Sequence, residues 1–80
     1  MGSEHAPLGD LVARHIERAA LTQEDAVEQI CRLDGLYMSR STLQRVLGGQ
    51  PCAASTAQIL ARWLPYAEVE VIEAWRRQRG

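Results

Sequence analysis

An all-α domain, a compact bundle of five short helices, is predicted by three features of the chain. Apolar residues recur at three and four positions, threonine or serine opens two of these runs, and glycine or proline closes several of them. Eighty residues allow one core and no second domain, and a core that small leaves scope for dimerisation to add stability.

Residues 1–7 read as a flexible lead-in. The first helix is expected over Leu8 to Ala20, with Leu8, Leu11, Val12, Ile16, Ala19 and then Leu21 on its inner stripe. Thr22 followed by Asp25 is a capping pattern, with a carboxylate placed among the free amides of a first turn. The second helix then runs to about Leu33, burying Ala26, Val27, Ile30 and Leu33, and Asp34-Gly35 breaks it. The connector to Met38 is unusually apolar, so at least two of Leu36, Tyr37 and Met38 are expected in the core. Ser39 caps a third helix of about ten residues, with Leu43, Val46 and Leu47 inward. Gly48-Gly49 stops it and Pro51 prevents its resumption. A fourth helix is expected from Ala53 to Leu64, burying Ala57, Leu60 and either Ile59 or Trp63. Pro65 ends it, and a fifth runs from about Tyr66 to Gln78. Val69, Val71, Ile72 and Trp75 span more than one narrow stripe of that last helix, so Val71, Ile72 and Trp75 are read as a dimer interface, the alternative being that all four close the core.

Several functions are argued against. Cys31, Cys52, His5 and His15 lack the spacing of a zinc site, and the two cysteines read as small reduced thiols. His15, at the edge of the first stripe, reads as a partly exposed surface residue with no function. No nucleophile and base arrangement or phosphate-cradling glycine loop is recognisable, so neither an enzyme nor a cofactor is expected. No stretch approaches the roughly 18 consecutive apolar residues of a membrane span. No basic-then-apolar leader opens the chain, and a cytoplasmic protein without a membrane partner is expected.

The net charge of −1 is poor for a nucleic-acid binder, but its distribution is uneven. Residues 1–34 set Arg14, Arg18 and Arg32 against seven acids, whereas 35–67 hold Arg40, Arg45 and Arg62 and no acid at all. Two short helices joined by an irregular turn between Thr22 and Gln50 have the layout of a helix-turn-helix. Arg40, Ser41, Gln44 and Arg45 project from the second of them. Arginine's fork suits guanine O6 and N7, glutamine suits adenine, and short hydroxyls reach phosphates or nearby bases. These four are the expected base contacts. Thr22, Gln23, Ser39, Thr42 and Gln50 are the expected phosphate contacts, helped by the first amides of the two helices.

Leu21-Thr22-Gln23, the run from Ser39 to Arg45 and the segment from Thr56 to Leu64 together resemble the lambda-repressor-like (Cro/C1, XRE) DNA-binding domains. The resemblance covers roughly residues 8–64 and leaves 65–80 as an added C-terminal helix. Thr22 and Ser39 lie 17 positions apart, longer than is usual in that family and similar to the POU-specific domain with its longer second helix and connector. The resemblance implies that Gln23 bonds a phosphate and braces the first exposed side chain of the third helix. It also implies that Arg40, Ser41 and Arg45 read bases and that Ser39 meets a phosphate. Arg40 stands where glutamine is common, which shifts the expected preference there from adenine to guanine. Ile16 and Leu47 stand where many members carry an arginine and a glutamate, an apolar exchange for an ion pair at little cost to stability.

The expectation is therefore a bacterial or phage transcriptional regulator that binds double-stranded DNA as a homodimer on a two-fold operator, with no small-molecule ligand. The alternative is a protein-protein interaction module on the same fold, an antitoxin-like or anti-repressor partner docking through the fifth helix.

Overall fold

The computed structural model describes residues 7–33 and 37–79, and these form five α-helices with no strand among them. They are α1 (Pro7–Arg18), α2 (Gln23–Cys31), α3 (Arg40–Leu47), α4 (Ala54–Trp63) and α5 (Glu68–Arg79). Pro7, expected in the lead-in, is the first residue of α1; the rest of that lead-in over 1–6, the break at Asp34-Gly35 and the placement of Leu36 lie outside the described residues.

The local signals act where the sequence places them. Thr22 accepts a hydrogen bond from the Asp25 amide at 3.0 Å while the Asp25 carboxylate accepts one from the Thr22 amide at 3.1 Å, a reciprocal capping box at the start of α2. Ser39 Oγ accepts from the Thr42 amide at 3.2 Å at the start of α3. At the other end of α3, Gly49 adopts φ 88°. The Gly49 amide then donates to the Val46 carbonyl and the Gln50 amide to the Arg45 carbonyl, the paired bonds of a left-handed helix stop.

Helix α1 ends with the same pair of bonds, from the Ala20 amide to Glu17 and from the Leu21 amide to Ile16, but the residue in the left-handed conformation is Ala20, at φ 57°. A Cβ costs roughly 1–2 kcal/mol in that conformation. Glycine there gives up about 0.4–1 kcal/mol through the freer unfolded chain. Ala20→Gly is therefore expected to stabilise the protein by about 0.5–1 kcal/mol, read as a higher urea midpoint with an unchanged slope.

Packing then sorts the apolar residues. Leu8, Val12, Ile30, Leu43, Val46, Leu60 and Val71 are fully buried, and Leu11, Ala26, Met38, Leu64 and Ala74 complete the same cluster. Helix α5 packs on α1 and α4, α1 also meets α3, and α2 bridges α3 and α4. Ile59 and Trp63 are both half-buried against this core, as are Ile16 and Leu47. Trp63 donates its indole N–H to Gln29 at 3.0 Å, tying α4 to α2, and meets His15 edge-on with ring centres 4.9 Å apart.

Three expectations about burial need correction. Ala19 is exposed, because α1 ends at Arg18 and the chain turns away before the stripe reaches it. Tyr37 is 74% exposed and Met38 is buried, so the expectation that two connector residues enter the core turns on Leu36, which lies outside the described residues. Val71 is completely buried where α5 crosses the core and is unavailable to a partner. Trp75 is half-buried against the same cluster, and its indole N–H donates to the Cys52 carbonyl at 2.7 Å, so it closes the fold over the loop before α4. Ile72 is half-buried and Val69, at 66% exposure, is the most open aliphatic side chain of α5.

Both cysteines are free thiols. Cys31 donates weakly to the Met38 carbonyl at 3.7 Å, and burial pushes the Cys52 thiol above its ordinary value, which keeps it protonated at neutral pH.

Candidate nucleic-acid interface

Helix α3 is only eight residues long, and two buried contacts at its C-terminal end determine where it sits. The first is a close approach. A Cβ at Gly9 would lie 2.4 Å from the Val46 carbonyl oxygen and 3.1 Å from Leu47 Cα, so α1 meets the backbone of α3 directly at a position that tolerates no side chain. The second is Gln78, in the last turn of α5 and 8% exposed. Its amide oxygen accepts from the Leu8 and Gly9 amides, both at 3.0 Å, and so caps α1 from the far end of the chain. Its NH2 group donates to the Val46 carbonyl at 3.1 Å and to the Gln50 carbonyl at 2.8 Å. One side chain thus joins the start of α1, the end of α3 and the loop beyond it. Among the described residues no buried side-chain polar atom lacks a partner.

With Leu43 and Val46 turned into the core, Arg40, Ser41, Gln44 and Arg45 are all exposed. They do not share one environment. Arg45 and Thr42 line an open groove of about 530 Å3 together with Pro51, Cys52, Ala53 and Thr56 from the loop and first turn of α4. Thr42 is half-buried, and its hydroxyl is 2.9 Å from that of Ser39. Helix α4 begins at Ala54, and Ala53 at its N-cap position supplies no side-chain cap, unlike the residues before α2 and α3, so its first amides are left to other partners. On the other flank, Arg40 Nη1 donates to Glu24 Oε2 at 3.3 Å. The α2 side chain hydrogen-bonded to Arg40 is thus Glu24, while Gln23 is half-buried beside the Thr22 cap. Gln50 exposes its side chain while its backbone is held by Arg45 and Gln78.

No family model, curated protein or solved structure matches this chain. The site is therefore read from its own geometry. Two of its positioning residues, Gly9 and Gln78, were not singled out by sequence reasoning. A lone glycine in a helical run signals only a weaker helix, and a glutamine near a C-terminus signals only polarity. In the sequence Glu24 is only one of the seven acids of residues 1–34, although one of its carboxylate oxygens touches the first residue of α3. Among the described residues no cluster of three or more potential metal ligands occurs, and no helix is long and apolar enough to cross a membrane.

Proposed function

We propose that this chain is a sequence-specific DNA-binding transcriptional regulator, with α2, the connector and α3 serving as a lambda-repressor-like helix-turn-helix. The observation that carries this reading is the exposed face of α3. Arg40, Ser41, Gln44 and Arg45 occupy it, no acid of its own interrupts it, and its far end is fixed by backbone contact to Gly9 and Gln78. A helix about 10–12 Å across enters a major groove roughly 12 Å wide, where these side chains reach base edges. The uncapped start of α4, beside Arg45 and Thr56, suits a backbone phosphate through its free amides and helix dipole. Phosphate contacts carry the affinity and the α3 side chains carry the choice of sequence.

The outer face of α5 supports reading the protein as a homodimer on a two-fold operator. Val69 and Ile72 form its apolar part, Glu68, Glu70 and Glu73 occupy its first half, and Arg76 and Arg77 its second. Two copies pairing this helix antiparallel bring the acids of each against the arginines of the other, which is the self-complementarity a two-fold contact needs. The same apolar patch also favours a second reading, a protein-binding module on this fold.

Selection of bound sequences from a random duplex pool at about 150 mM salt, where non-specific binding is weak, separates these readings. A two-fold motif is expected for the native chain, and Arg40→Ala is expected to cost roughly 1–3 kcal/mol and relax one position per half-site. A single unrepeated half-site removes the symmetric dimer. Equal weakening of every sequence by Arg40→Ala makes Arg40 a phosphate contact. No enrichment removes the DNA reading and leaves the protein-binding one.

A further inference from the structure

The contact between Glu24 and Arg40 joins two helices through side chains that are both mostly in solvent, the Arg40 side chain 57% and that of Glu24 75% exposed. Such a pair contributes little to folding, because water screens it and two long side chains must be held still. Its consequence falls instead on the direction of one guanidinium. Arg40 is the first residue of α3, where the positive end of the helix dipole repels a cation. A carboxylate at the second position of α2 is favoured by its own helix dipole and compensates that repulsion.

We infer that Glu24 is the specificity-determining partner of Arg40, aiming its guanidinium at guanine while making the surface around it unfavourable to phosphate. The inference rests on the DNA-binding reading above and deepens it. A guanidinium on a free tether satisfies itself on whichever anion is nearest, and on DNA that is a phosphate, which carries no sequence information. A carboxylate beside it has two opposed effects. It repels the backbone of every duplex alike, and, by engaging Nη1, it leaves the other N–H donors of the planar fork for a planar acceptor pair such as guanine O6 and N7. In the major groove the carboxylate itself can accept from only the exocyclic amines, most directly cytosine N4. Arginine donors and a carboxylate acceptor held 3.3 Å apart are thus matched to a G·C pair as a unit.

The test compares the native chain with Glu24→Gln, which keeps shape and removes charge, by sequence selection and by titration of the selected and a scrambled duplex at one salt concentration. The thermal midpoint of each protein serves as the check on folding. The variant is expected to bind the scrambled duplex several-fold more tightly and to lose on the order of tenfold in the ratio of selected to scrambled affinity. The relaxed position is expected to be the one that Arg40→Ala also relaxes. An unchanged preference in Glu24→Gln, or a loss spread evenly over all positions, overturns the inference and leaves the DNA reading standing. Failure of the native chain to enrich any site overturns the DNA reading, and the inference falls with it.

Discussion

Gln78→Ala is expected to lower the unfolding free energy by about 3 kcal/mol, a large part of the roughly 4–12 kcal/mol that 80 residues sustain. The amide oxygen of Gln78 is the acceptor for two buried backbone N–H groups, those of Leu8 and Gly9. Left without it, each costs about 1–3 kcal/mol. The two carbonyls on the other side suffer less. Val46 keeps its bond from Gly49, and Gln50 sits near enough to solvent for water to replace the lost donor. Gln78→Met, similar in length but unable to hydrogen-bond, is expected to be about as destabilising as alanine, which separates lost bonding from lost volume. Urea unfolding of the three proteins reads both effects. A loss below about 1 kcal/mol for Gln78→Ala would mean that water enters and caps α1 in its place.

Gly9→Ala is expected to destabilise the protein by about 2 kcal/mol, although alanine is ordinarily the better helix former by up to about 1 kcal/mol. The new methyl would meet the Val46 oxygen at 2.4 Å, with Leu47 Cα and the Leu47 oxygen at 3.1 Å. These are backbone atoms, and none can rotate aside. Helices α1 and α3 must separate by roughly 1 Å to restore contact distance, which also lengthens the bonds Gln78 makes to both of them. A shift of that size tilts the exposed face of α3, so DNA affinity is expected to fall in the protein that remains folded. Equal stability of Gly9→Ala and the native chain would show that α1 slides over α3 freely. Equal DNA affinity in a destabilised variant would show that the position of α3 does not depend on this contact.

Both residues act over long sequence separations, and this explains what could be read in advance. The start of α2 at Thr22 and of α3 at Ser39, and the stop after α3 at Gly48-Gly49, were visible because a cap or a left-handed turn is satisfied within four or five residues. The stop after α1 was less visible, since alanine fills at Ala20 a role glycine would have announced. The inward sides of α1, α2, α3 and α4 followed from apolar spacing, because each has one clear stripe. Helix α5 has four apolar positions spread too widely for one stripe. Spacing could not say that Val71 is buried and Val69 left in solvent.

The exposed residues of α3 were legible for the same local reason, and the contacts that qualify them were not. Glu24 and Arg40 are sixteen positions apart, and α1 and α5 meet through residues about seventy apart. The sequence by itself determined five helices, most of their boundaries and the polar composition of the α3 face, through capping chemistry and side-chain period. Only the tertiary structure decided which side of α5 closes the core, that Gly9 and Gln78 fix the end of α3, and that an acid flanks its first arginine. Those depend on backbone approach and on buried hydrogen bonds between distant segments, and local sequence carries no signal for either until the helices have packed.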